Sequence, residues 1–238
     1  MHDRILTVQV WRGGAEGSLQ TFEVPRFPSQ TVLDVVTHIQ RHLDPTLAYR
    51  YACRVGMCGS CAMTVNGAPR WTCRTHVDRV AKNETLEVRP LRNLPVIRDL
   101  VTDMRTFFDK WERAGGRFDG SATKSDDFAR IAPDSAERKS IDAGIECIGC
   151  GVCYAACDVV KWNPDYLGPA ALNRAWTLVA DSRDSNQQRL HAVAGDAGCH
   201  ACHTHTSCTE RCPKHISPTA AIAGLKRTVT KAALEGKL

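Results

Sequence analysis

The sequence predicts an α+β fold of two domains: a β-grasp-like domain over residues 1–100 and an all-α domain over residues 101–238. Three observations favour this. Apolar and polar residues alternate in short runs through the first hundred residues, apolar residues recur at helical spacing after Pro95, and the cysteines fall into three separate groups. At 238 residues the chain is long enough to bury two ordinary cores.

The twelve cysteines lie at positions 53 to 73, 147 to 157 and 199 to 212, and such clumping favours metal binding over disulfides. The N-terminal MHDRILTVQV lacks the apolar segment of a secretion signal, so we expect a reducing cytosol. No apolar run approaches about eighteen residues, so we expect membrane contact only through a partner. The net charge of +5 is spread along the chain, and we expect no nucleic-acid partner.

The first elements follow from local patterns. Apolar and polar residues alternate over residues 5–12 and 19–26, and GGAEG lies between the two stretches. This pattern predicts a β-hairpin. Thr31 and Asp34 predict a capped helix start. The apolar residues on one face of that helix are Val32, Val36, Ile39 and Leu43.

Asn66-Gly67 predicts a tight hairpin, and residues 86–91 predict another strand. After Pro95 the sequence predicts one amphipathic helix ending near residues 114–116. Its apolar positions are Ile97, Leu100, Val101, Met104, Phe107, Phe108 and Trp111.

The rest of the chain predicts helices joined by cysteine-rich loops. Residues 115–140 are polar and predict a long connection. The sequence predicts a helix from Pro169 to Ala180. It also predicts a last helix with Ser217 as its N-cap and Pro218 as its first residue.

The first cysteine group has plant-type [2Fe-2S] ferredoxin spacing, C-x4-C-x2-C-x11-C, which predicts a [2Fe-2S] cluster. Gly56 and Gly59 give the loop backbone freedom. A zinc site is the alternative, although this is not the usual zinc spacing. The predicted ligands are Cys53, Cys58, Cys61 and Cys73.

Three arginines near this loop are Arg50, Arg54 and Arg74. They would raise the reduction potential if they faced the cluster, and otherwise they solvate the loop.

The second group has the bacterial ferredoxin spacing C-x2-C-x2-C-x3-C, in which the fourth cysteine ligates the other cluster. Exchange of fourth ligands with the third group predicts two sets. The [4Fe-4S] set is Cys147, Cys150, Cys153 and Cys212. The other set has three thiolates, which suit a [3Fe-4S] cluster, and consists of Cys157, Cys202 and Cys208.

Together these sets resemble the iron–sulfur subunit of succinate dehydrogenase and fumarate reductase, the complex II family. The resemblance covers nearly the whole chain and rests on the CGSC core, NLPVIRDLVTDM, CIGCGVCYAAC, WNPDYLGPAAL followed by DSRD, and CPKHISP. It implies a plant-type [2Fe-2S] ferredoxin domain followed by a bacterial-ferredoxin-like helical domain.

The resemblance also implies a role and partners. The subunit would pass electrons between an FAD-containing flavoprotein subunit and quinone, through [2Fe-2S], [4Fe-4S] and [3Fe-4S] clusters, with no catalytic residues of its own. Membrane-anchor subunits would hold it at the cytoplasmic side of the bacterial cell membrane.

Several positions depart from the family pattern. Asp158 stands where proline usually follows the fourth cysteine, and Lys161-Trp162 stands where relatives often carry two tryptophans. We expect Lys161, Trp162 and His203 near the quinone, with plain surface roles as the alternative for Lys161 and His203.

Two residues bear on the third cluster's iron count. His205 occupies the slot of a fourth ligand and would complete a [4Fe-4S] cluster if it bound iron. Cys199 is surplus to the eleven expected ligands and is either a further ligand or a packed small residue.

Two other functions stay open at this point. An iron–sulfur subunit of a different flavin-dependent membrane dehydrogenase would share the clusters but not the flavoprotein. A zinc-stabilised binding module would contain zinc and no acid-labile sulfide.

Overall fold

The computed structural model describes residues 4–186 and 188–238 of the chain. Contacts divide it into two compact units, the first reaching Met104 and including Ile148–Ala156, the second comprising Arg105–Cys147 and Cys157–Leu238. The α+β fold is confirmed: the first unit is built on a β-sheet and the second is helical. The boundary between residues 100 and 101 stays a prediction.

The first unit contains a five-stranded sheet with strand order β2-β1-β5-β3-β4. Its strands are β1 (Ile5–Arg12), β2 (Ser18–Pro25), β3 (Ala62–Val65), β4 (Ala68–Trp71) and β5 (Thr85–Arg89). β5 pairs in parallel with β1 and antiparallel with β3. Asn66 and Gly67 both have positive φ, at 46° and 76°, so the predicted tight hairpin between β3 and β4 is confirmed.

Helix α1 (Val32–His38) packs on the sheet and continues as a π-helical turn over Ile39–Leu43. The predicted capping box is confirmed, because Thr31 accepts from the backbone of Asp34 and Asp34 accepts from the backbone of Thr31. Leu6, Val8 and Val10 of β1 alternate with partly buried residues and are fully buried in the core that includes the apolar face of α1. This packing fixes the helix beside the cysteine loop that precedes β3.

The helix predicted from residue 97 is wrong in its first part. Residues Val96–Arg98 and Val101–Thr102 form a small antiparallel pair, β6 and β7, and helix α2 spans only Arg105–Arg113. The turn between the strands contains Asp99, whose φ of +50° is incompatible with a right-handed helix.

Long-range hydrogen bonds explain the turn. The buried carboxylate of Asp99 accepts from the backbone N–H groups of Gly13, at 2.7 Å, and Ala48, at 2.8 Å. It also pairs with Arg12, at 3.2 Å. These contacts override the helical spacing of the neighbouring apolar residues.

Further helices follow along the chain. They are α3 (Ala136–Ile145), α4 (Val152–Ala156), α5 (Asp158–Trp162), α6 (Pro169–Val179), α7 (Gln188–Ala194), α8 (Ser207–Glu210) and α9 (Pro218–Leu234). α4 belongs to the first unit and packs beside β4. The centre of the second unit is the contact of α6 with α9. Across the described residues, none of the helices has the length and apolarity needed to cross a membrane.

The predicted helix starts in the second unit are confirmed. Pro169 opens α6 behind Gly168, and Ser217 caps α9 by accepting from the backbone of Ala220. The predicted connection over residues 115–140 is shorter than expected, because α3 begins at Ala136.

This connection is anchored by a buried arginine. Arg189 forms an ion pair with the buried carboxylate of Asp184 and donates to the carbonyl oxygens of Gly115, at 2.7 Å, and Arg117, at 2.8 Å. Side-chain contacts therefore hold the beginning of the connection in place.

Candidate metal centres

The first cysteine group flanks β3 and β4, the two strands at one edge of the five-stranded sheet. Pairing of Ala62 with Trp71 brings the ends of β3 and β4 together, so Cys61, just before β3, lies near Cys73, just after β4. Thr72 secures this approach by donating its backbone N–H, at 3.2 Å, and its hydroxyl, at 2.8 Å, to the carbonyl oxygen of Cys61. Both cysteines are buried against Leu33 of α1.

The loop bearing Cys53 and Cys58 directs backbone N–H groups at sulfur. Met57 donates to Cys53 Sγ at 3.2 Å, Val55 donates to the same atom at 3.5 Å, and Cys53 donates to Cys58 Sγ at 3.5 Å. Because N–H groups stabilise negative charge on sulfur, they favour thiolates here.

Two thiols of this group have strongly shifted pKa values. Hydrogen bonding from Ser60, chiefly its side chain, and from the Cys53 backbone lowers the pKa of Cys58 to about 6. Burial raises the pKa of Cys73 to about 12, and its hydrogen bond with Cys61 and the charge of Cys53 act in the same direction. A buried Cys73 thiolate therefore needs a positive partner, which bound iron would provide.

These observations fit the [2Fe-2S] group that the sequence predicts. Hydrogen bonds and charge interactions link Cys53, Cys58, Cys61 and Cys73 to one another. Their role as cluster ligands stays a prediction. Among residues 4–186 and 188–238, no three His, Cys, Asp or Glu side chains form a group for one metal ion. Ligands of an iron–sulfur cluster are divided among several irons, so they do not need to converge on one point.

Two of the three neighbouring arginines contact other parts of the first unit. Arg50 donates to the carbonyl oxygen of Thr102 at 3.0 Å, and Arg54 pairs with Asp34 at 3.0 Å. These contacts favour a structural role for both arginines.

The predicted [4Fe-4S] ligands are divided between the units. Cys150 and Cys153 belong to the first unit, and Cys147 and Cys212 to the second. Within the second unit, an ion pair between Lys214 and Glu146, at 3.2 Å, ties the segment after Cys212 to the segment before Cys147. The four-cysteine set stays a prediction.

The third predicted set gathers within the second unit. Cys157, Cys202 and Cys208 line one cavity, together with Tyr166 and residues 203–207. Burial raises the pKa of Cys157 and of Cys208. Of the three thiols that line this cavity, Cys208 is buried and the other two are partly buried, which fits a cluster held by three thiolates.

Hydroxyl and N–H groups also surround these sulfurs. Thr204 donates its backbone N–H to Cys202 Sγ at 3.4 Å, and the Thr219 hydroxyl lies 3.5 Å from Cys208 Sγ. Tyr166, only 1% exposed, shares a side-chain hydrogen bond with Cys202, and its pKa is raised first by burial and then by the nearby thiolate charges.

Sequence reasoning missed both Tyr166 and Thr219. The signal at Tyr166 is a polar tip in the otherwise apolar stretch YLGPAAL, where a buried hydroxyl needs a partner. Thr219 has no comparable local signal, because it lies eleven residues from Cys208.

The predicted quinone-side residues lie at the surface of the second unit. Trp162 is 65% exposed, and its ring meets that of His205 edge-on, with centroids 6.1 Å apart. His203 and Lys161 are exposed, and the His203 ring lies 6.1 Å from that of His205. The structure thus places His205 in an exposed aromatic group that forms part of the cavity lining. Asp158 is exposed at the start of α5.

Cys199 lies in a buried 3₁₀ turn and is fully shielded from solvent. It is not among the residues that line the cavity. Burial raises its pKa, and the charge of Lys226 partly offsets this. Its surroundings favour the packed-residue hypothesis.

Comparisons with known proteins agree with this arrangement. Residues 6–109 match the family model of the 2Fe-2S iron–sulfur cluster binding domain, and residues 146–217 match that of the 4Fe-4S dicluster domain. The fumarate reductase iron–sulfur subunit of Mycobacterium tuberculosis is 37% identical, over 99% of this chain and 96% of the relative. That of Haemophilus influenzae is 34% identical, over 87% and 84%.

Among solved structures, a chain of the Mycobacterium smegmatis Sdh1 complex in the apo form superposes with a TM-score of 0.86. It is 29% identical, and the match covers 98% of each chain. The order of a 2Fe-2S domain and a helical dicluster domain is confirmed by both kinds of match. The chain belongs to the family of fumarate reductase and succinate dehydrogenase iron–sulfur subunits, and it is an electron-transfer subunit.

Proposed function

We propose that this subunit passes electrons between an FAD-containing flavoprotein subunit and membrane quinone, in a succinate:quinone or quinol:fumarate oxidoreductase. One observation carries the proposal: three cysteines line a single cavity, and the exposed ring of Trp162 lies against His205 at its border. A one-electron centre beside an exposed aromatic surface suits exchange with a quinone.

The proposed [2Fe-2S] ligands are Cys53, Cys58, Cys61 and Cys73, and the proposed [4Fe-4S] ligands are Cys147, Cys150, Cys153 and Cys212. When bound, these clusters supply one-electron redox chemistry. The chain's own residues bury the thiolates and direct N–H and hydroxyl groups at them. Both actions influence the potential of a bound cluster.

The third centre is proposed to be a [3Fe-4S] cluster held by Cys157, Cys202 and Cys208. His205 lines the same cavity as these cysteines, but its exposure and the contact of its ring with Trp162 favour three thiolate ligands over a fourth ligand. Burial of Cys199 outside the cavity lining supports a packing role for that residue.

Electron paramagnetic resonance tests this count, because an oxidised [3Fe-4S] centre is paramagnetic and an oxidised low-potential [4Fe-4S] centre is not. We expect the signal in the unmodified complex and in both His205→Ala and the matched control His203→Ala. A signal that is absent from the unmodified complex and appears only in His205→Ala would show that His205 holds a fourth iron.

Two exposed surfaces support the proposed partners. Val55 and Met57, in the first cysteine loop, are 61% and 63% exposed, and apolar side chains beside a redox centre suit a docked protein. We propose the flavoprotein as that protein. Trp162 and His203 are proposed to face the quinone and the membrane-anchor subunits, which hold the complex at the cytoplasmic side of the bacterial cell membrane.

Purification of the tagged subunit from its own cells tests the function as a whole. We expect a flavoprotein with bound FAD and a membrane-anchor protein to copurify, and succinate to reduce the iron–sulfur signals. Copurification with a different flavoprotein, and no response to succinate or fumarate, would assign the chain to another flavin-dependent membrane dehydrogenase. Zinc without acid-labile sulfide would overturn both.

A further inference from the structure

Gly59 lies between Cys58 and Cys61 in the first cysteine loop and directly against Cys150, another residue of the first unit. A Cβ atom at position 59 would lie 2.7 Å from Cys150 Cβ, 2.9 Å from Cys150 Cα and 3.2 Å from the carbonyl oxygen of Ile148. The loop that bears two proposed ligands of the first cluster is thus in contact with a proposed ligand of the second.

A side chain at this position could not be accommodated without movement. Non-bonded carbon atoms rest about 3.5 to 4.0 Å apart, so an added methyl group would require a displacement of about 1 Å. The atoms it meets are main-chain atoms and the first side-chain atom of Cys150. Rotation of a flexible side chain therefore cannot relieve the clash.

Position 59 requires glycine for two reasons, its positive φ and its close contact with Cys150. Position 67 has a positive φ but no close contact, so it serves as a matched control. Gly59 has a φ of +73°, and Gly67, in the hairpin between β3 and β4, has a φ of +76° with no atom within 4 Å of an added Cβ. Alanine at either position carries the strain of positive φ. Only alanine at position 59 pushes against Cys150.

We propose that Gly59 is a positioning residue that sets the separation of the first and second redox centres by allowing the loop to rest on Cys150. The proposal rests on the ligand sets given under Proposed function. The step it serves moves one electron: one centre is oxidised as the other is reduced, with no proton transferred and no bond made or broken. Since the rate of electron tunnelling falls exponentially with distance, a small displacement slows this step.

The test compares Gly59→Ala with Gly67→Ala in the complete complex. Iron, acid-labile sulfide and the signal of each centre are measured first. The magnetic interaction between the two reduced centres and the rate of electron transfer between them are measured next. In Gly59→Ala we expect both centres to be present, the interaction to weaken and the transfer to slow several-fold. In Gly67→Ala we expect neither property to change.

An unchanged interaction and rate in Gly59→Ala would overturn the proposal, as would equal losses in both variants. The unmodified complex gives a measurement that does not depend on the variants: two reduced centres with no magnetic interaction would also overturn it. An unmodified complex that lacks the [2Fe-2S] or [4Fe-4S] signals would instead overturn the ligand sets, so the two failures are distinguishable.

Discussion

The first and third cysteine groups both combine backbone and side-chain donors around their sulfurs, and the share of side-chain donors is larger in the third. In the first group, backbone N–H groups of Cys53, Val55 and Met57 point at sulfur from an exposed loop. In the third, the side-chain hydroxyls of Tyr166 and Thr219 join the backbone N–H of Thr204 at the sulfurs that line the cavity. Backbone donors survive most substitutions and side-chain donors do not, so the third centre should be the easier one to alter by mutation.

The largest effect is expected from removing a buried thiol of the third group. Cys208→Ala should abolish the signal of the third centre, because one of only three proposed thiolates is lost. Cys199→Ala is the matched control: this buried cysteine should be replaceable with all three centres retained, at a stability cost of about 1 kcal/mol. Loss of the third-centre signal in Cys199→Ala would make Cys199 a ligand.

The next effect tests the side-chain donors. Tyr166→Phe removes a hydroxyl that contacts Cys202 and should lower the reduction potential of the third centre. A lost hydrogen bond of about 1 kcal/mol corresponds to about 40 mV for a one-electron couple. Redox titration followed by electron paramagnetic resonance measures the shift.

Tyr49→Phe is the counterpart in the first unit. Tyr49 packs against the buried cysteines there, but its hydroxyl donates to Thr37, at 3.1 Å, and not to a sulfur. Its loss should leave the first-centre potential unchanged. Equal shifts in the two variants would contradict the contrast between the groups.

A smaller shift is expected in the first centre. Ser60→Ala removes the side-chain hydrogen bond to Cys58 but leaves the backbone donors in place. We therefore expect its potential to fall by only about 20 mV, the equivalent of about 0.5 kcal/mol. A fall larger than that of Tyr166→Phe would show that side chains dominate at both sites.

The smallest effects concern helix caps. Thr31→Ala and Ser217→Ala should each cost about 1 kcal/mol and lower the unfolding midpoint by about 3 °C. Only Ser217→Ala should also shift the reduction potential of the third centre. A chain of hydrogen bonds connects the Ser217 hydroxyl through Thr209 and Thr219 to the sulfur of Cys208. Calorimetry and redox titration of both variants check this, and a shifted first centre in Thr31→Ala would contradict it.

Local patterns predicted the features that depend on local chemistry. These features are the tight turn at Asn66-Gly67, the capping box at Thr31 and the helix start at Ser217-Pro218. Each depends on residues that are close together in the sequence. The helix predicted from Ile97 failed because the partners of Asp99 lie 51 and 86 residues away, where no periodicity reveals them.

The same limit applies to the centres. Cysteine spacing identified the candidate ligands, since ligand order follows the chain. It could not show the Tyr166 hydroxyl beside Cys202 or the contact of Gly59 with Cys150, because both join residues that are distant in sequence and carry no pairing signal.

The position of β5 has a consequence for biosynthesis. This strand lies in the middle of the sheet, between β1 and β3, yet it begins at Thr85, after all four cysteines of the first group. During synthesis these thiols leave the ribosome before the sheet beneath them can close, because folding of a unit requires its central strand. We expect iron delivery to the first group to follow completion of the sheet and the nascent thiols to need protection from oxidation until then.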